Sequence, residues 1–120
     1  MNRLYKNLQD LLEQKIGLYE NFIQLLNEEW KCVTEYSYDG LQEIIAKKND
    51  QVMQIQALEN SRSSLMKKIS ANLKVGQSGL TLRKLIQFKD NPYRINLSKC
   101  RIKLLSKINK INILNAKIKA

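Results

Sequence analysis

Leu4 to Val33 reads LYKNLQDLLEQKIGLYENFIQLLNEEWKCV, and its spacing decides the fold. Tyr5, Leu8, Leu12, Ile16, Tyr19, Ile23, Leu26, Trp30 and Val33 step by threes and fours, the period of an amphipathic helix. Leu4, Leu11, Leu18, Phe22 and Leu25 make a second stripe beside the first. Together they form an apolar face broader than a two-stranded seam requires. The pattern predicts a helix over residues 3–36, about 50 Å long. Gly17 inside it costs about 1 kcal/mol relative to alanine, which so regular a helix carries.

Outward from that helix, Ser37-Tyr38-Asp39-Gly40 reads as a turn, with Asp39 as an N-cap and Gln42 completing a capping box. A second helix is expected over 40–73. Its inner face is Leu41, Ile44, Ile45, Val52, Ile55, Leu58, Leu65, Met66, Ile69 and Leu73. Lys48 and Arg62 fall on the same seam, where their stems can pack while the charged ends find solvent or a carboxylate. Residues 74–80, with Gly76 and Gly79, read as a loop. Thr81 suits the N-cap of a short helix over 82–88. Asn91 and Pro92 then restart a third long helix over 92–118. On a helical wheel Leu97, Leu104, Ile108, Ile111 and Ile118 share one arc, with Ile95, Ile102, Leu105 and Ile113 beside it. Lys99, Lys103, Lys107, Lys110 and Lys117 take the opposite side, and Asn109 and Asn112 fall within the apolar arc. No strand-type alternation competes. The fold expected is all-α: a long antiparallel helical hairpin with a third C-terminal helix, one helical domain over 1–120.

Composition narrows the function. The 120 residues contain 4 Gly and 1 Pro, few enough to leave long elements unbroken. Charges interrupt every apolar stretch, so no membrane span is expected, and the first residues lack the apolar core of a signal peptide. A cytoplasmic chain follows. There is no histidine, which removes imidazole acid–base chemistry and histidine metal sites. Cys32 and Cys100 have no CxxC partner and read as plain core or surface residues. Glu28 and Glu29 point apart on a helix, and Ser61, Ser63 and Ser64 have no histidine to activate them. Gly76-Gln77-Ser78-Gly79 lacks the preceding strand and the Lys-Ser/Thr ending of a phosphate loop. No catalytic residue, cofactor or metal is expected.

The net charge of +10 is divided unevenly. Residues 1–60 hold six Lys/Arg against ten Asp/Glu; residues 61–120 hold fifteen against Asp90 alone. Two readings stand. The second half is a face for nucleic acid or anionic lipid, or it reflects the bias that makes Lys, Ile and Asn 41 of the 120 residues. Against nucleic acid, Phe88 and Tyr93 stand isolated near the start of the last helix, which beyond them carries no aromatic side chain for base stacking and no recognition signature. The excess apolar surface points elsewhere: to the third helix, a second copy of the chain, or a foreign helix laid along the bundle.

The second helix also carries a pattern. Asp39-x-Leu41-x-x-Ile44-Ile45-x-x-Lys48, with Val52-x-x-Ile55-x-x-Leu58-Glu59-x-x-Arg62-x-x-Leu65, resembles the FlgN-type flagellar export chaperones. Thr81-Leu82-Arg83-Lys84-Leu85-Ile86 and Asn109-x-x-Asn112-Ile113-Leu114 are similar to later elements of that family, in the same order. The resemblance implies a small cytosolic chaperone without ATPase activity. Its partners would be the hook-associated proteins that join hook to filament, bound through their C-terminal helical region, and the export apparatus. It implies a contact surface on the last helix, at Ile102, Leu105, Ile108, Asn109, Asn112 and Ile113. It also leaves room for a homo-oligomer when no client is bound. A chaperone complex of this kind is expected to depend weakly on salt. The alternatives are a basic helical nucleic-acid-associated protein and a self-associating structural coiled coil.

Overall fold

The computed structural model describes residues 2–73, 80–88 and 90–119. The expected loop at Lys74–Gly79 lies outside the described residues. Four helices follow in order: α1 (Asn2–Thr34), α2 (Tyr38–Leu73), the single turn and a half of α3 (Leu82–Ile86), and α4 (Arg94–Lys119). No strand occurs among the described residues, and the molecule is a rod of 55 × 22 × 21 Å.

Charged and polar contacts fix the direction of each helix. Lys15 Nζ lies 2.9 Å from Glu59 and Lys48 Nζ 2.9 Å from Glu29, so α2 runs antiparallel to α1. Asn96 pairs with Gln9, Lys107 with Glu20, and Lys117 sits over Trp30. Each of these pairs is 87 residues apart, so α4 runs parallel to α1 in one register along its length. The bundle is up-down-up. Both α2 and α4 pack on α1, and among the described residues they make no backbone contact with each other. This accounts for the two apolar stripes of α1, because one helix serves two partners.

The core is thickest at the end where α3 closes the bundle. Tyr5, Leu8 and Leu12 of α1 meet Leu65, Met66 and Ile69 of α2, Leu85 of α3, and Leu97, Cys100 and Leu104 of α4. Burial pushes the Cys100 thiol up, so it is a poor nucleophile at neutral pH. Toward the hairpin tip the buried set thins to Ile23, Leu25, Leu26 and Ile44. There α2 departs from the inner face read from sequence. Ile45 and Val52 are exposed, because α4 does not close over that flank of α2.

The turns also differ in detail. α1 ends in a Schellman motif: the Ser37 N–H donates to the Cys32 carbonyl (2.9 Å) and the Tyr36 N–H to that of Val33 (3.4 Å). Tyr36 is left at φ 55°, a conformation that favours glycine. α2 starts at Tyr38, two residues before the expected position. Asp39 is in its first turn rather than capping it, and Gln42 donates to the Tyr38 hydroxyl instead of completing a capping box. Gly40 lies close to the end of α1: a Cβ there would meet Ser37 Oγ at 2.9 Å and Cys32 Sγ at 3.0 Å, so those side chains would have to turn aside. Thr81 does cap α3, its hydroxyl accepting from the Lys84 N–H. Asn91 is buried, accepting from the Tyr93 N–H and donating to the Leu85 carbonyl, a turn that delivers the chain into α4 at Arg94.

Two predictions follow from these contacts. Hydrogen bonds from Arg62, joined by Lys15, hold the Glu59 carboxyl at about 2 against its ordinary 4.5. A lowered folded-state value stabilises the fold above the unfolded value and ceases to do so as pH falls. Denaturant titrations of Glu59→Gln against the parent should show a deficit at pH 7 that shrinks between pH 4.5 and about 2. Tyr36→Gly should raise stability by about 1 kcal/mol by relieving the left-handed backbone. A lowered melting temperature in that variant would show that the exposed ring contributes more than its backbone costs.

Candidate partner-binding surface

The site residues expected from sequence all lie on α4. The buried side of that helix is Leu97, Cys100 and Leu104, with Ile111, Leu114 and Ile118 half-buried beyond them. Residues seven apart on a helix stay on one face, and those one or two apart diverge by 100° or 200°. Ile95, Ile102, Asn109 and Ile113 therefore look away from α1. Ile102 is 62% exposed and Ile113 60%. Leu105, 49% exposed, and Asn112 lie on the adjoining flank. Ile108, at 38%, turns inward toward α2.

This corrects the sequence picture of α4 in one respect. The two apolar stripes do not merge into a single arc backed by lysines. They occupy different faces, one against α1 and one in solvent. The lysines are divided too: Lys107 and Lys117 engage α1, whereas Lys99, Lys103 and Lys110 are exposed. Asn109 and Asn112 are exposed, so neither needs a buried partner for its amide.

Beside the exposed stripe runs a groove. Because the backbones of α2 and α4 both lean on α1 and stay apart from each other, a cavity of about 270 Å³ opens between them. Its floor is Tyr19 and Phe22 of α1, and its walls are Val52, Ile55 and Gln56 of α2 and Ile108 and Ile111 of α4. The structure thus brings Ile108 to the groove. It places Ile102, Leu105, Asn109, Asn112 and Ile113 along the outer surface of the same helix. The groove residues of α1 and α2 were missed from sequence. On α2 the signal was present in Val52, which is displaced from the seam of the helix, but without knowing where α4 lies it reads as core.

Nothing else among the described residues gathers reactive groups. No three of His, Cys, Asp and Glu could hold a metal ion, and no helix is long and apolar enough to cross a membrane. The most buried carboxylate, Glu29, is occupied by Lys48, whose Nζ donates to both oxygens at 2.9 and 3.0 Å. An apolar helix face supported from behind and open in front is suited to hold another helix.

A family model described as FlgN protein matches residues 1–120. The chain belongs to the FlgN family, which is a family of chaperones in flagellar biogenesis. No curated protein and no solved structure matches it significantly.

The neighbours Leu104 and Leu105 offer a direct check on the two faces of α4. Leu104 is 7% exposed, and Leu104→Asp should unfold the closed end, with a loss of several kcal/mol in denaturant. Leu105→Asp should retain far-UV helicity and a cooperative transition within about 1 kcal/mol of the parent.

Proposed function

We propose that the protein is a cytoplasmic flagellar type III secretion chaperone that acts by binding, without catalysis. Its client is the C-terminal helical region of the hook–filament junction proteins. It would keep them from assembling early and deliver them to the export apparatus. The observation that carries this reading is that α4 is apolar on two faces and only one is used by its own bundle. Family membership supplies the flagellar context.

The physical logic needs no nucleotide. An amphipathic terminal helix, alone in solution, exposes a stripe that drives self-association. Laying that stripe along Ile102, Leu105 and Ile113, with Ile108 leading into the groove, buries apolar area on both partners at about 25 cal/mol per Å². Asn109 and Asn112 sit within the stripe as the polar groups that set the register of the docked helix. Such single polar positions fix alignment at some cost in affinity. Release then requires only a competing surface at the export apparatus.

Leu105→Asp is the test. With the C-terminal region of a junction protein as titrant, the parent should form a defined complex by calorimetry. The variant should lose it by a factor of 100 or more, about 2.7 kcal/mol, while keeping its helicity. Undiminished affinity would move the client off α4. Binding of duplex DNA or RNA instead, insensitive to Leu105 and falling as a power of salt, would replace this reading with the nucleic-acid one.

A further inference from the structure

The charge around the exposed stripe goes further than its hydrophobicity. α4 carries eight basic residues and no acidic one. Among the described residues, Lys107 alone of these has an ion-pair partner, Glu20 at 3.4 Å, and Lys117 lies 4.5 Å from the Trp30 ring centroid. The others are not scattered. Lys99 precedes Ile102 by three positions and Lys110 precedes Ile113 by three, so each lies beside an exposed isoleucine on the helix surface. Lys103 continues that edge. Arg101 precedes Leu105 by four and, with Arg94, lines the other edge. An apolar strip therefore runs between two cationic rails.

We propose that the segment received on α4 is an acidic amphipathic helix, with Asp or Glu flanking its apolar face on both sides. This rests on the reading of α4 as the client surface and adds the chemistry that selects the client. A second copy of the chain is a poor occupant, because an isologous α4–α4 contact would oppose two sets of cations with no acid between them. Nucleic acid would place phosphates against isoleucine. A partner helix with acidic flanks satisfies strip and rails together, and like-charged flanks are rejected. The weak salt dependence expected from sequence is revised accordingly: exposed rim pairs are screened, so affinity falls with added salt.

The test uses the full chain and three synthetic helical peptides that share one Leu/Ile face and differ only in flanks of Glu, Gln or Lys. They are titrated at low and high salt into the parent and into a Lys99→Gln, Lys103→Gln, Lys110→Gln variant. The junction-protein segment and phosphatidylglycerol vesicles are titrated in parallel. The Glu peptide should bind about tenfold more tightly than the Gln peptide at low salt, the effect of a few exposed ion pairs. The Lys peptide should not bind. The preference should shrink in the triple variant, which keeps Arg94 and Arg101, and vanish at high salt, and the junction segment should weaken under both conditions in the same way. Equal affinity for Glu and Gln peptides overturns the charge selection while leaving the chaperone reading intact. So does a junction segment that binds the triple variant as tightly as the parent. Vesicle binding that is lost in the triple variant, with no peptide or junction segment bound, overturns both in favour of a lipid surface.

Discussion

The structure depends on α1 being shared by two helices whose backbones do not approach each other. A helix has about 100° of apolar arc when it packs against one neighbour; α1 needs more, and its two stripes supply it. Because α2 and α4 both seat their backbones on α1 and not on each other, the space between them is left open with aromatic side chains at its base. Remove the second stripe and the chain would be a hairpin with a loose arm. With it, α4 is held in one register by contacts near its start, middle and end.

That seating bears on the proposed function. An exposed apolar stripe on an unsupported helix would collapse onto the nearest surface or melt. Here the inner residues Leu97, Cys100 and Leu104 anchor the helix on the core, which leaves Ile102, Leu105 and Ile113 on its outer side. A surface ordered in advance spends less entropy when a partner docks. The exposure is a liability for the free protein and, in the function proposed above, the source of its affinity.

The ion pairs of the hairpin do a different job. Lys15–Glu59–Arg62 is partly solvent-exposed and adds modestly to stability. Glu29, nearly buried, is tolerable only with Lys48 on both its oxygens. Set at different points along α1, the two clusters are satisfied together in one antiparallel alignment. They oppose the sliding that a uniformly apolar seam would permit.

The periodicity of Leu4–Val33, the Thr81 cap and the shortage of glycine and proline were enough to determine an all-α chain of long helices. The absence of histidine was enough to turn the reading away from most site chemistry. These are local properties, set by the backbone period and by residue type. The ordered motifs also carried the family. The sequence alone could not say which of two apolar stripes on α4 faces inward. Helical spacing gives the angle between residues but no direction toward a neighbour, so Leu104 and Leu105 look equivalent until α1 is placed. The same holds for Val52, core by pattern and groove wall in fact, and for Lys107, whose partner Glu20 lies on another helix. What only the tertiary structure decided is which side of each helix remains in water, because that depends on contacts between segments far apart in the chain.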